Sequence, residues 1–339
     1  MRNFLERFYE LYPHSEIQDY VKLAYQMSYG VTHFFTNSED SLHFLKLETS
    51  QMEPHSDKFL YECLNDNLVR VNLRPYLAHH LDLEELNANF YQTSLLEMPK
   101  LSYFLDLAKE SKSFLLNHGF KEAEFDEFMK DYKDRDYPPV HHTKTYTECY
   151  HPAYRLISRD RLSPQIKSLK IMDFLESFKK GPMTVIAFDG KCASGKSSVA
   201  QLLANELGAT IIPADDFMDG SDAEIGINSK RLINDVLTKL QPEKPLSYGR
   251  YDCSTKKMET IKIPKVGNWV ILEGAYSANS AIRKYLNLIA YFGISDAEQT
   301  ARLKKRSPEN FEDFQNKWIP RENRYLEKEQ IVLHADIWI

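Results

Sequence analysis

The chain has 339 residues, of which 42% are hydrophobic, and it carries a formal net charge of −6 at pH 7. This length predicts two domains with ordinary globular cores. The charge provides no overall basic field, so we expect no nucleic-acid partner. No apolar run approaches the ~20 residues that cross a bilayer, and the first residues lack the apolar core of a signal peptide, so we expect no membrane partner.

The cysteines and histidines do not form a recognisable metal or disulfide pattern. Cys63, Cys149, Cys192 and Cys253 are widely separated and include no CxxC pair. This spacing indicates reduced thiols and predicts a cytoplasmic protein. Ten of the eleven histidines precede residue 152, but none belongs to an HExxH or H-x₃-H arrangement. We therefore expect them to be packing or surface residues.

Residues 1–165 predict a mainly α-helical domain of unknown role. The stretches Ser15-Glu16-Ile17-Gln18 and Asp82-Leu83-Glu84-Glu85 have the form of capping boxes, and apolar spacing predicts a further helix over Pro99–Asn117. The ring-rich segment 137–155 predicts a structured loop. The apolar helix faces favour a packed core, while a homo-oligomer interface, a partner surface or a part in substrate selectivity stays open.

Residues 166–182 predict a connecting helix, and residues 183–339 predict an α/β domain. Short apolar runs separated by helical patterns predict strands over 185–188, 210–212, 269–272 and 288–292, with a fifth formed by 331–333 and Ile337. Alternation of this kind indicates a parallel sheet with helices on both faces. The expected fold class is therefore α/β, with a parallel sheet covered by helices on both faces.

A glycine-bounded loop lies between the first of these strands and a helix. Its residues, Gly190-Lys191-Cys192-Ala193-Ser194-Gly195-Lys196-Ser197, fill every required position of G-x-x-x-x-G-K-[ST]. Such a loop wraps its backbone N–H groups around phosphates, and the positive end of the following helix adds to that field. We therefore predict that this loop, together with Ser198, binds ATP or another nucleoside triphosphate.

Acidic residues follow two of the other predicted strands. Asp215 and Asp216 come after the second strand, and Glu273 ends the third. Ligands of open parallel sheets gather beyond the carboxyl ends of the strands, so these acids are expected near the loop. A carboxylate there can accept a proton from an attacking hydroxyl or hold Mg²⁺. The alternative for Asp215 and Asp216 is a solvated turn or a helix cap.

A basic run follows the fourth predicted strand and contains Arg302 and Arg306. Such runs are commonly the exposed face of a helix. The position is also where many small-molecule kinases have a mobile lid, in which case the two arginines, four residues apart, would face the transferring phosphate together.

With these stretches identified, residues 183–339 resemble the uridine kinase and phosphoribulokinase branch of P-loop kinases. The matching stretches are the loop, Ala214-Asp215-Asp216-Phe217, Tyr251-Asp252, Ile271-Leu272-Glu273-Gly274-Ala275-Tyr276, the Arg302/Arg306 segment and Ala335-Asp336-Ile337. The resemblance implies an ATP- and Mg²⁺-dependent kinase. Its expected acceptor is a hydroxyl of a uridine- or cytidine-like nucleoside or of a similar small metabolite.

The resemblance also implies roles for individual residues. Lys196 would bridge the β- and γ-phosphates, Ser197 would ligate Mg²⁺, and Glu273 would support the metal. Asp215 would act as the general base and help to hold the metal. Asp215, Asp216, Tyr251 and Asp252 would face the acceptor, with Asp252 binding sugar hydroxyls, and Arg302 and Arg306 would be lid arginines.

The sequence departs from that family at several positions. Cys253-Ser254-Thr255 replaces the usual Phe and Thr-His after Tyr251-Asp252, and Ser307-Pro308 replaces Arg-Asp after Arg306. The first departure leaves open a kinase of the same fold that acts on another small alcohol or a sugar phosphate. A nucleotide-switched binding protein, with the helical half as effector, is a further alternative. Cys192 lies near a helix N-terminus, where a thiol can be reactive.

Overall fold

The computed structural model describes residues 2–31, 37–55, 59–65, 67–96, 101–178, 181–220, 226–252 and 255–339. The chain divides into two compact units, Met1–Arg161 and Leu162–Ile339. The helix expected to connect the domains spans Pro164–Ser177, and its Ile171 and Leu175 belong to the core of the second unit.

The first unit is mainly helical, as predicted. Its helices are α1 (Arg2–Leu11), α2 (Ile17–Tyr29), α3 (Ser38–Ser50), α4 (Leu73–Ala78), α5 (Leu83–Ser94), α6 (Leu101–Asn117), α7 (Glu122–Asp134) and α8 (Lys144–Tyr150). It also contains β1 (Tyr61–Cys63), β2 (Leu68–Asn72) and β3 (Tyr154–Ser158), which form an antiparallel sheet in the order β1-β2-β3.

The first unit corrects two details of the sequence prediction and leaves a third untested. Helix α2 is capped by Glu16, whose side chain and that of Asp19 form the capping box one residue later than expected. The segment 137–155 is not a loop throughout, because it contains α8 and the start of β3. Helix α6 begins at Leu101 among the described residues, and Pro99, the expected start, lies outside them.

The second unit alternates strands and helices. Its strands are β4 (Thr184–Gly190), β5 (Thr210–Pro213), β6 (Leu246–Asp252), β7 (Lys257–Ile263), β8 (Trp269–Glu273), β9 (Leu288–Phe292) and β10 (Ile337–Trp338). Its α-helices are α9 (Pro164–Ser177), α10 (Lys196–Leu207), α11 (Ser229–Leu232), α12 (Asp296–Arg306), α13 (Phe311–Asp313), α14 (Ile319–Lys328) and α15 (Ile331–His334). Two π-helical turns, Ile233–Leu237 and Phe314–Trp318, continue α11 and α13.

Five of these strands form a parallel sheet in the order β10-β9-β4-β8-β5, with β4 at its centre. Strand β4 is buried along its whole length, which explains its nearly continuous apolar sequence. Because all five strands run the same way, their carboxyl ends meet at one edge of the sheet. The fold class is therefore the predicted one, α/β of the P-loop NTPase type.

Two parts of the second unit differ from the prediction. Residues 331–333 lie in helix α15, and the edge strand β10 consists of Ile337 and Trp338 alone. A short apolar run fits a helix turn as well as a strand, and periodicity cannot distinguish them. The antiparallel hairpin β6–β7 was not predicted, because β7 is mostly solvent-exposed and lacks an apolar face.

Membrane-spanning segments were looked for along the described parts of the chain. No helix there combines the length and the apolar composition that crossing a bilayer requires.

Candidate active site

Residues 190–197, which the sequence predicts to bind phosphate and which we call the phosphate-binding loop, join β4 to α10. The backbone of this loop departs from ordinary strand and helix conformations. Gly190 has φ +136°, and a Cβ at this position would lie 2.2 Å from the carbonyl oxygen of Phe292 on the neighbouring strand β9. Ala193 and Gly195 have φ values of +61° and +93°. Left-handed residues of this kind curl a loop into the concave shape that binds anions.

Lys196 is buried at the base of this loop. Its Nζ donates to the carbonyl oxygens of Gly190, at 2.9 Å, and Lys191, at 2.8 Å. The ammonium group is therefore held in a fixed position within the loop. Burial raises the pKa of both Asp215 and Glu273, and the positive charge of Lys196 opposes that rise, which indicates that the two carboxylates lie within its electrostatic reach.

Ser197 and Glu273 bring two oxygen ligands together at the carboxyl end of β8. The Ser197 hydroxyl donates to Glu273 Oε1 at 3.1 Å. Burial raises the pKa of Glu273 and nearby Asp215 raises it further, while Lys196 and the Ser197 hydrogen bond oppose the shift. Added positive charge would therefore stabilise the ionised form of this carboxyl group.

Asp215 lies on the 3₁₀ turn Ala214–Phe217 that follows β5. Its carboxylate is close to the end of β8, because a Cβ on Gly274 would be 3.5 Å from Asp215 Oδ1. The side chain is reached by solvent from the pocket, yet the surrounding protein raises its pKa by desolvation, against the effects of Lys196 and Arg306. The Asp215 carboxylate accepts no hydrogen bond from the described residues, so it is available to a ligand.

Asp216, by contrast, is committed to the protein. Tyr248 on β6 donates its hydroxyl to Asp216 Oδ2 at 2.8 Å, and Arg231 donates to the Asp216 carbonyl oxygen at 2.7 Å. The Phe217 ring lies between them, stacked on Tyr248 and covered by the Arg231 guanidinium. These contacts attach the hairpin β6–β7 to the turn that carries Asp215. The same hairpin carries Tyr251 and Asp252 into the pocket.

Arg302 and Arg306 lie on α12, one turn apart. Arg302 Nε pairs with Glu298 at 2.8 Å, and Arg302 Nη1 donates to the carbonyl oxygen of Ala193 in the loop at 3.1 Å. Arg306 is exposed, with its guanidinium 5.6 Å from the centre of the Phe314 ring. Both residues line the same pocket as the loop.

Glu322 on α14 is a member of the site that sequence reasoning did not find. Its buried Oε2 accepts a hydrogen bond from the Cys192 N–H at 2.9 Å, and Gln299 donates to the Cys192 carbonyl oxygen at 3.2 Å. Burial raises the pKa of Glu322, while the Cys192 N–H and Lys196 oppose the shift. A carboxylate therefore occupies part of a loop whose shape suits anions. No motif marks Glu322, since its partner is 130 residues away along the chain.

The Cys192 thiol is not activated by its position near the helix N-terminus. Burial raises its pKa to about 12, and the negative charge of Glu322 adds to the effect. The thiolate that reacts with oxidants and electrophiles is therefore scarce at neutral pH.

A second contact attaches α14 to the strand before the loop. Tyr325 donates its hydroxyl to the buried Asp189 at 2.5 Å, and the Ala278 N–H donates to the same carboxylate oxygen at 2.8 Å. Burial raises the pKa of Asp189 to about 6 despite these donors. Helix α14 is thus fixed to the protein on both sides of Gly190.

These residues converge on one pocket of about 980 Å³ at the carboxyl edge of the sheet. The predicted site residues that line it are Cys192, Ala193, Ser194, Gly195, Lys196, Ser197, Ser198, Asp215, Asp216, Tyr251, Asp252, Glu273, Arg302 and Arg306. Gly190 and Lys191 lie at the start of the loop, and the Lys191 ammonium contacts Asp296 at 2.6 Å. Phe314 and Trp318 add two rings to the pocket wall that were not predicted.

The donor groups in this pocket fit a magnesium–nucleotide complex. Mg²⁺ prefers oxygen ligands, usually one or two carboxylates completed by water and phosphate oxygens. Ser197, Glu273 and Asp215 supply ligands of this type, and no cluster of three His, Cys, Asp or Glu side chains suited to a metal occurs in the described residues. The buried Tyr276 hydroxyl on the pocket wall has no hydrogen-bond partner within the described chain, which leaves a donor for a ligand.

No family model matches this sequence, and no curated protein matches it. Solved structures do match its fold. One is a protein described as a possible uridine kinase from Bacillus stearothermophilus, with 16% identity and a TM-score of 0.42 over 52% of this chain and 98% of that one. Another is a Silicibacter sp. TM1040 protein provisionally named a fructose transport system kinase, with 16% identity and a TM-score of 0.36 over 52% and 99%.

Proposed function

We propose that the second unit is an ATP- and Mg²⁺-dependent kinase that transfers the γ-phosphate to a hydroxyl group of a nucleoside or similar small metabolite. The observation that carries the proposal is that one pocket contains both a phosphate-binding loop and an unpaired carboxylate, Asp215, beside it. A nucleotide-binding protein without an acceptor needs the loop but has no use for such a base.

The donor side of the reaction would be positioned by the loop and by α12. Lys196, fixed by two loop carbonyl groups, would neutralise the β- and γ-phosphates. Ser197, Glu273 and Asp215 would hold Mg²⁺, which would supply positive charge to offset the negative charge of the phosphates. Arg302, already bonded to Ala193 of the loop, would approach the charge that develops on the transferred group.

On the acceptor side, Asp215 would act as the general base. Its carboxylate would take the hydroxyl proton while the acceptor oxygen bonds to the γ-phosphorus, and the bond from that phosphorus to the β,γ-bridging oxygen would break to release ADP. The pKa of Asp215 is raised by desolvation, which makes the carboxylate a better proton acceptor than an ordinary aspartate.

The walls of the pocket support a flat, hydroxylated acceptor. Phe314 and Trp318 lie one helical turn apart and offer ring surfaces for a base or sugar. Asp252 and Arg250, on the hairpin, also line the pocket and supply polar groups that can bind hydroxyl groups. We expect nucleosides to be the first acceptors to test, followed by sugars and sugar phosphates.

The proposal is tested by incubating the full chain with γ-labelled ATP, Mg²⁺ and a panel of nucleosides, sugars, sugar phosphates and other small alcohols. Label should appear in at least one acceptor. Lys196→Ala should lower kcat/KM by about 10²–10³-fold, the usual cost of removing a group that stabilises developing charge. Lys239→Ala, which removes an exposed lysine paired with Asp235, is the matched control and should leave the rate unchanged.

Two results would overturn the proposal. One is label that appears in inorganic phosphate but in no acceptor of the panel, which would favour a nucleotide switch. The other is transfer that survives Lys196→Ala undiminished, which would remove the loop from the chemistry.

A further inference from the structure

The first unit contains a pocket of its own, with a volume of about 320 Å³. Its walls come from α2, α5, β3 and the residues Pro139 and Val140 before α8, and we call it the α2–β3 pocket. Most of the wall is apolar, formed by Tyr25, Phe90 and Leu156 among others. Pockets of this size and composition, with a few convergent polar groups, are typical of small-molecule sites.

Lys22 is the principal cation of this pocket. Its Nζ donates to the Val140 carbonyl oxygen at 2.7 Å, and this is its only hydrogen bond to the described residues. Because an ammonium group carries three N–H donors, two remain for a ligand. Gln26 lies one turn further along α2, so its side chain shares the face of Lys22.

The polar floor beside Lys22 is rigid. Tyr154 accepts a hydrogen bond from Gln26 at 2.9 Å and lies 2.8 Å from His142 Nε2, while His142 Nδ1 is 3.0 Å from the buried Asp19. Burial lowers the pKa of His142 to about 4, so the ring is neutral and Nε2 accepts a hydrogen bond from the Tyr154 hydroxyl. Each member of this chain has its partner, which fixes the orientation of the groups that face the pocket.

The charge lining the pocket is positive. Lys22 and Arg155 both line it, and the described lining residues include no carboxylate. Arg155 is neutralised in part by Glu48, at 2.6 Å, whereas Asp19 is engaged by His142 and Thr143. The fully buried guanidinium of Arg70 donates to Gln26 behind this wall, where Glu62 offsets part of its charge. An anion in the pocket would therefore meet Lys22 as its principal cation, because no carboxylate of the described residues forms an ion pair with the Lys22 ammonium group.

We propose that the α2–β3 pocket binds a small organic anion, with an apolar body of about one or two rings in the apolar part and a carboxylate or phosphate group on Lys22. The pocket is about twice the ~150 Å³ cavity that accommodates a benzene molecule, which sets the size of the body. This site is separate from the kinase chemistry proposed above and does not depend on it.

The test is a calorimetric titration of the full chain with benzoate, phenyl phosphate and the uncharged benzyl alcohol. We expect at least one anion to bind, benzoate if the site recognises carboxylates and phenyl phosphate if it recognises phosphates. Lys22→Met should weaken that binding about tenfold to a hundredfold, the usual cost of losing a hydrogen bond to a charged group. Lys22→Arg should retain it, and Lys46→Met, which removes an exposed lysine of α3, is the matched control.

Phenyl phosphate can also enter the phosphate-binding loop, so the binding must be localised. Hydrogen exchange should slow in α2 and β3 on binding, and Lys196→Ala should leave this effect intact. The proposal is overturned if neither anion binds at concentrations up to about 10 mM, a range that includes weak millimolar complexes. It is also overturned if benzyl alcohol binds equally well, or if a folded Lys22→Met protein, judged by its circular dichroism, binds as the wild type does.

Discussion

The two units treat buried charge in opposite ways. In the first unit, Asp19, His142 and Tyr154 form a chain in which every polar group has a partner. In the second unit, Asp215 and Glu273 lie near each other, and the pKa of each is raised by burial. Satisfied networks stabilise one structure, whereas crowded like charges cost free energy and are concentrated at functional sites.

This contrast suggests that the charged groups of the two units have different roles. Under the proposed function, bound Mg²⁺ would relieve the cost of these carboxylates in the second unit, because its positive charge stabilises their ionised forms. The first unit has no such pair of carboxylates at the α2–β3 pocket. There His142 is neutral, and the charged residues that line the pocket, Lys22 and Arg155, are cations. The contrast predicts that substitutions in the second unit chiefly change turnover, while those in the first change stability or anion binding.

The largest expected effect is that of Asp215→Asn. Loss of the general base should lower kcat/KM about 10²–10⁴-fold, the range in which positioned bases contribute. ATP binding should persist, because Lys196 and the loop are unchanged, and this can be measured with a fluorescent nucleotide. Asp235→Asn, at a surface position of the same unit, is the control. Wild-type turnover in the Asp215→Asn protein would contradict the role of Asp215 as general base.

Acidification should destabilise the first unit through His142. The folded pKa is about 4 against 6.5 in the unfolded chain, so the contribution of this histidine is complete above pH 6.5 and is lost as the pH falls to 4. The difference is on the order of 3 kcal/mol. Urea unfolding at pH 6.5 and pH 4, followed by hydrogen exchange in α2 and α8, should detect it.

The matched variants for that experiment are neighbours in the chain. His142→Gln should flatten the pH dependence in α2 and α8, while His141→Gln, which changes an exposed residue, should preserve it. An unchanged slope in His142→Gln would mean that other groups cause the acid sensitivity. The distinction between a satisfied first unit and a crowded second unit would then need another basis.

Glu322→Gln should tighten ATP binding by about tenfold, since it removes one like charge from the loop. The amide oxygen can still accept the Cys192 N–H, so the loop should keep its conformation. Glu322→Ala removes both the charge and the acceptor and should gain less. Glu327→Gln, an exposed position on the same helix, is the control, and weaker ATP binding by Glu322→Gln would contradict a repulsive role.

The smallest expected effect concerns the α2–β3 pocket. The pKa of Lys22 is lowered to about 8, mainly by burial and secondarily by Arg70, while Asp19 opposes the shift. The ammonium group therefore loses its proton above pH 8, and anion binding should fall about fourfold between pH 6.5 and 8.5. Neutral His142 and the Val140 carbonyl also face this region but do not titrate in that range. The Lys22→Arg protein should show no such fall.

Much of the second unit could be predicted from sequence because its signals are local. The apolar runs of β4, β8 and β9 are continuous, and the loop motif lies between a strand and a helix, as required. Asp215 and Glu273 could be expected near Lys196 because parallel strands end at one edge of the sheet. The proposed roles of these residues remain predictions until the variants are measured.

The features that could not be predicted from the sequence depend on contacts between distant residues or on weak local patterns. Strand β7 is largely exposed, so the hairpin that carries Tyr251 and Asp252 has no apolar alternation to reveal it. The pairing of Glu322 with Cys192 joins different parts of the chain and leaves no trace in either local sequence. The α2–β3 pocket is formed where four separate segments meet, and only the assembled fold brings them together.

The attachment of α14 to the loop has a consequence for how the chain folds. The contacts Glu322–Cys192 and Tyr325–Asp189 span 130 and 136 residues. Contacts between such distant residues form late, because closing the long loop between them costs conformational entropy before the contacts can stabilise the fold. Strand β4 and helix α10 are neighbours in sequence and can therefore pack together first. The phosphate-binding loop then gains its contact with Glu322 only when α14 packs against the sheet.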